Sequence, residues 1–330
     1  MRPVRGGSAE RGTAAERPAV EPAGMPSRSA EPERATAVGP PRRGTVWTVL
    51  GVALTAVSFA AIFIRWADAP GVVVAFYRML IATVIMAPVT AAGLRRTPLD
   101  ARAWRATTLA GALLAVHFAA WISSLSYTTV AASGALVSTS PLWVALFAWL
   151  FLARPPAARQ LGGVLLSVAG AAIIGYGDML GGSRPLLGDL LAVVGAAGAG
   201  GYLLLGRYVQ ARGVSLQAYA GSAYAVAAVC LAPLPWLTGA PYLGYPQATY
   251  LFVALLALVP QVIGHTGINY VAKYFDTTAL ATALLLEPLA SGVLAYLLFG
   301  ERPGTATLLG VAAVLCGMVL TVRFTPRAAA

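Results

Sequence analysis

Charge is scarce in this chain. Charged side chains make up 11% of its 330 residues and hydrophobic ones 58%. An ordinary soluble domain carries about 25% charged residues, and a soluble core could not hide this much apolar surface. A bilayer can, and the mean hydropathy of +0.74 agrees. Lysine is almost absent, Lys273 standing alone. There are two cysteines, Cys230 and Cys316, both inside apolar runs. They exclude a disulfide framework and a Cys-type metal site, and are expected to be buried, inert side chains. Two histidines are too few for zinc, which wants three or four ligands. No G-x-x-x-x-G-K-[ST], H-E-x-x-H or G-x-S-x-G is present, so no ATP site, cofactor or metal is expected and an enzyme is disfavoured.

What is abundant is arginine and long apolar runs. The net charge of +11 could suit nucleic acid, but its distribution does not. Eight arginines precede residue 44 in a Glu/Pro/Gly/Ala-rich stretch, read as a disordered basic tail over 1–44. Most others sit in short gaps between apolar runs at 46–65, 71–94, 106–127, 130–153, 160–177, 187–206, 215–236, 248–271, 277–300 and 304–323. Each run approaches the roughly 20 residues that cross a bilayer. Ten transmembrane helices are therefore expected, in an all-α membrane protein. With the N-terminus inside, the inner connections and C-terminal tail hold eleven basic residues and the outer ones only Arg65, Arg184 and Arg302. That bias predicts both termini on the cytoplasmic side of the cell membrane.

The two halves repeat. Pro141 and Pro288, Pro156 and Pro303, Gly163 and Gly310, and Gly170 and Gly317 are each 147 residues apart. Thr128-Thr129 and Thr277-Thr278 match at 149, and His117 and His265 at 148. The expected units are a first five-helix repeat at 45–177, a second at 178–324 and a short tail at 325–330. A five-helix unit is odd, so its second copy must be inverted. Inverted repeats place a substrate site at their interface near the midplane.

Three segments carry a resemblance: AFYRMLIA at 75–82, TTVAASGALVSTSPLWVALFAWLFLARP at 128–155, and LLLEPLASGVLAYLLFGERPGTATLLG at 284–310. With them, residues 46–323 resemble the EamA-type members of the drug/metabolite transporter superfamily. The resemblance implies ten helices in two repeats and export of amino acids, metabolites or toxic compounds. One departure is Ala153-Arg154, where the family often shows the Gly-Glu that Gly300-Glu301 retains.

Candidate site residues are the polar ones that the membrane makes costly. Glu287 lies about 15 Å from either surface in the ninth run. Removal from water favours a neutral carboxyl, which suits proton exchange, although a helix-fixing ion pair would also explain it. Its counterpart in the first repeat is Ser140. Pro288 and Pro141 deprive the carbonyls of Leu284 and Val137 of their helical donors, which either breaks the helices and exposes polar backbone to a cavity or is a kink that serves packing alone. Arg78, about 10 Å into the second run, can meet an anionic group, pair with Glu287 or snorkel outward. His117 and His265 either face one cavity from opposite halves, with Trp121, Tyr127, Asn269 and Tyr270 lining it, or are hydrogen-bonded buried histidines among packing and interfacial side chains. The small residues Gly195, Gly198, Ala199 and Gly201 suit close helix packing.

These observations favour a secondary transporter that alternates access between its repeats. An intramembrane enzyme is the alternative that Gly175-Tyr176-Gly177-Asp178 superficially suggests, and a membrane scaffold or sensor a third. The expected partners are a small-molecule substrate and the lipid bilayer, with a homodimer as a further option and no nucleic acid.

Overall fold

The computed structural model describes residues 43–152, 155, 157–179, 184–271, 274, 283–284 and 286–323. The expected tail up to residue 42, the C-terminal tail, and Arg154, Pro156, Lys273, Thr277 and Thr278 lie outside them. The described residues form helices joined by short turns. In the first half these are α1 (Arg43–Ser58), α2 (Ala60–Ala67), α3 (Gly71–Arg96), α4 (Ala101–Ser124), α5 (Val130–Val137), α6 (Ser140–Leu152) and α7 (Ala158–Met179). The second half opens with α8 (Pro185–Gln210), α9 (Leu216–Leu231), the short α10 (Leu234–Leu237) and α11 (Gln247–Leu256). A π-helical stretch, Ala257–His265, leads into α12 (Thr266–Val271), and α13 (Leu286–Phe299) and α14 (Thr305–Arg323) follow.

Seven stretches among the described residues are long and apolar enough to cross a bilayer: Gly44–Ala67, Gly71–Arg96, Ala101–Ser124, Val130–Phe151, Pro185–Gln210, Leu216–Leu237 and Gln247–Ile268. Three shorter apolar helices, Gln160–Ile174, Leu286–Phe299 and Thr305–Thr321, fall where the fifth, ninth and tenth runs were predicted. The exposure pattern is that of a molecule solvated by lipid. Phe151, Leu165 and Leu297 are 76%, 68% and 67% exposed, whereas Arg78 is wholly buried. Cys230 and Cys316 are exposed as well. This corrects the expectation that they would be buried: a small thiol costs little against lipid, so an apolar run does not fix which face it takes.

Short turns hold because polar caps close the helix starts. Asp100 accepts from the Ala103 amide at 2.7 Å, Thr129 from Ala132 at 3.1 Å and Ser215 from Ala218 at 3.3 Å. The turns collect on two faces. On one, the Asp100 carboxylate meets Arg212, and Thr97 and Ser215 exchange hydroxyl and amide hydrogen bonds. On the other, Arg65 donates to the Thr128 carbonyl at 3.1 Å and pairs with Glu301 at 3.4 Å. Glu301 in turn accepts from the Val130 amide at 3.0 Å, and Thr128 donates to Asp189 at 2.9 Å. Successive long helices therefore run in opposite directions.

Two helix pairs pack backbone to backbone. Against α4, a Cβ on Gly198 of α8 would lie 2.7 Å from the Leu113 carbonyl and 2.9 Å from the His117 amide. The small residues read from the sixth run thus do what the sequence predicted. The α7–α14 pair is closer still. A Cβ on Gly163 would meet the Gly317 carbonyl at 2.6 Å, and one on Gly170 the Gly310 carbonyl at 2.7 Å. As numbering rises on α7 it falls on α14, so the two are antiparallel. Ser167, midway, donates to the carbonyl of Val314, 147 residues away. That separation is the sequence repeat itself.

Candidate functional site

The site begins at Arg78, eight residues into α3. It is fully buried among helices, so it does not snorkel. Its guanidinium is fixed from two directions. Nε and Nη2 both donate to Gln261 Oε1, at 2.9 and 2.7 Å. The plane lies over Phe118, with Cζ 4.1 Å from the ring centroid, and 5.7 Å from that of Trp121. Both aromatics belong to α4, one turn apart, and they lend the cation a polarisable wall. Tyr224, buried on α9, adjoins Gln261 and stands in the field of Arg78.

The amide that holds Arg78 is placed by the π-helical stretch. Pro260 has no N–H to give the helix ladder, and the backbone widens around it. The widened turn carries Gln261, which is buried, and His265 one turn on, which is partly exposed. His265 lies within electrostatic reach of Arg78 and His117. His117 donates its Nδ1–H to the Gly195 carbonyl, 2.8 Å away, and stacks on Trp121 at 5.8 Å. Glu287, half-buried in the first turn of α13, is also in the field of Arg78. The two form no ion pair, however; among the described residues only Arg65–Glu301 and Arg212–Asp100 do. The pairing with Glu287 weighed from sequence is replaced by the bond to Gln261.

Both prolines start helices. Pro141 is the second residue of α6 and Pro288 the third of α13, positions where a missing N–H costs nothing. In the first repeat the carbonyl of Val137 is not left bare. Ser140 donates its hydroxyl to it at 2.7 Å, while Ser138 and Thr139 serve Gly134 and Leu136 at 2.7 and 2.6 Å. A Cβ on Gly134 would sit 3.1 Å from that of Pro288, so α5 packs closely against the start of α13.

Of the residues singled out from sequence, Arg78, His117, Trp121, His265 and Glu287 come into one neighbourhood. Ser140 sits at the α5–α6 break with its proton spent on Val137, and Tyr270 packs on Tyr274 at 5.3 Å. Tyr127 is exposed, and the side chain of Asn269 lies outside the described residues. Sequence reasoning missed Gln261, Phe118 and Tyr224. Gln261 alone carried a signal, an amide in the middle of an apolar run beside a proline. Among the described residues there is no group of three or more metal-ligating side chains.

A buried cation and a carboxyl inside a multi-pass bundle of apolar helices define a membrane protein with a polar interior, the class to which carriers belong. The profile of the EamA-like transporter family matches residues 42–176 and again 186–323, and the chain belongs to that family. It is a family of transmembrane transporters, not of enzymes. The chain is 27% identical over 253 residues to an uncharacterized transporter of Archaeoglobus fulgidus, covering 75% of this chain and 86% of that one. It is also 27% identical over 190 residues to a probable terminal-alkyne amino-acid exporter of Streptantibioticus cattleyicolor, covering 58% of this chain and 63% of that one. A solved crystal structure shares the fold, with a TM-score of 0.57 at 20% identity over 84% of this chain and 97% of that one.

Proposed function

We propose that the protein exports small metabolites, amino acids or drug-like compounds by alternating access of two inverted five-helix repeats. In this reading the seven long and three shorter apolar helices make ten spans, with both termini cytoplasmic. The observation that carries it is the α7–α14 crossing. Ser167 bonds Val314, its own equivalent at the 147-residue offset, and the glycine contacts on either side exchange under the same offset. An antiparallel pair related in this way has the local two-fold axis that inverted repeats require. Other contacts fit the exchange: α4 packs on α8 as α1 and α2 pack on the π-helical stretch and α11.

The site around Arg78 and Glu287 lies between the halves, since Arg78, His117 and Trp121 come from the first and Gln261, His265 and Glu287 from the second. The Arg65–Glu301 pair and the Glu301–Val130 bond tie the ends of three spans on the face read as outer. Outward opening would break them. Glu287 is the group suited to carry a proton. The relative named for amino-acid export supports small zwitterions among the substrates.

The test is flux into purified inside-out proteoliposomes, screening amino acids, quaternary cations and aromatic toxins with and without a pH gradient. Saturable uptake is expected. Its absence for every class, together with a stable protein partner, would favour a scaffold.

A further inference from the structure

Two buried donors at the centre of the site are left over. Among the described residues, Nη1 of Arg78 has no hydrogen-bond partner, nor does the indole Nε1 of Trp121. Both belong to the same packed group, with the guanidinium carbon 5.7 Å from the Trp121 ring. Unsatisfied buried donors are rare, and each costs about 1–3 kcal/mol, more when charged. Here Nε and Nη2 of the guanidinium are already engaged by the protein. Gln261 Oε1 takes Nε and Nη2, and Phe118 covers the face. The protein supplies a neutral acceptor where a carboxylate would have neutralised the charge, and Glu287 does not reach Arg78 to form an ion pair.

We propose that Arg78 Nη1 and Trp121 Nε1 form a subsite for the carboxylate of the transported molecule. The inference rests on the transporter reading above and names the substrate class of the same site. One positive charge and two donors suit a monoanion with two oxygens, one to the guanidinium and one to the indole. Charge-assisted bonds of this kind are strong and directional. Gln261 is the positioning residue. It holds the guanidinium edge-on without cancelling its charge, so the free nitrogen keeps its attraction for an anion. The aromatic walls of Phe118, Trp121 and His117 favour an apolar or aromatic body beside the carboxylate. The substrate's charge is then the missing half of an ion pair, formed only while it is bound.

The test measures binding in detergent, where no flux is needed. Phenylacetate and its neutral isostere phenylacetamide are titrated at matched ionic strength against the purified protein, followed by thermal shift and tryptophan fluorescence. Phenylacetate is expected to bind about tenfold tighter or more, the worth of one charge-assisted bond. In Gln261→Glu, Arg78 acquires its own carboxylate and the preference is expected to vanish with the fold intact. In Trp121→Phe the ring remains, the N–H is lost and the preference is expected to fall severalfold. Equal binding of acid and amide by the unaltered protein, or a preference undiminished in Gln261→Glu, would overturn the subsite. Carboxylate binding without flux in liposomes would sink the transporter reading and leave the subsite standing.

Discussion

Arg78 and Gln261 illustrate what single residues contribute. A charged side chain inside an apolar run is conspicuous, because the membrane makes it costly; Arg78, His117, His265 and Glu287 were legible for that reason. Gln261 is uncharged and its role depends on a widened helix turn and on a contact 183 residues away, neither of which a linear pattern carries. Glu287 forms no ion pair among the described residues, so its exchange to Gln is expected to abolish the response of flux to an imposed pH gradient while leaving the fold intact. Normal gradient-driven flux in Glu287→Gln would reduce it to a packing residue. On the face bearing the Asp100–Arg212 pair, the Asp100 carboxyl is held below its ordinary value, first by the Ala103 amide and then by Arg212. A depressed carboxyl stabilises the fold above its unfolded value, about 3.9, and that contribution is lost as pH falls through the lower folded value. Asp100→Asn is therefore expected to lower the melting temperature at pH 7, with the deficit shrinking below about pH 4. A deficit independent of pH would mean that the amide replaces nothing electrostatic.

Helices were readable wherever the apolar run was long and its caps were polar, and less so where the chain breaks. Pro141 announced a break, but the repair of the Val137 carbonyl by Ser140 could not be foreseen, because a serine hydroxyl has several rotamers and only one reaches back. The α7–α14 contact is the clearest case of an element fixed by residue size. Gly163→Ala places a methyl against the backbone of α14, which cannot step aside as a flexible side chain would. It is expected to cost about 1–3 kcal/mol. Its neighbour Gly162 faces open space, so Gly162→Ala is expected to be neutral or slightly stabilising through helix propensity. Equal melting shifts in the two variants would show that the helices do not pack this closely in the membrane.

At the scale of the whole molecule, the repeat was legible because four proline and glycine pairs share one offset of 147 residues, and such residues mark the points where backbone geometry is constrained. The asymmetry between the halves was legible too, though not its consequence. Glu301 binds the start of α5 and Arg65, tying together the spans on one face. The equivalent position in the first repeat is Arg154, of opposite charge, so the corresponding tie on the other face cannot be built from the same groups. If access alternates as proposed, Glu301→Gln is therefore expected to shift the protein towards an outward-open form.

Two-sided labelling of a single cysteine tests alternating access most directly. Ser138 sits at the α5–α6 break, part-exposed, and Ser138→Cys would be introduced after Cys230 and Cys316 are replaced. A membrane-impermeant thiol reagent is then applied from either side. The account predicts labelling mainly from the cytoplasmic side in this background and increased labelling from outside when Glu301→Gln is added. Labelling from one side alone, unchanged by Glu301→Gln, would contradict it.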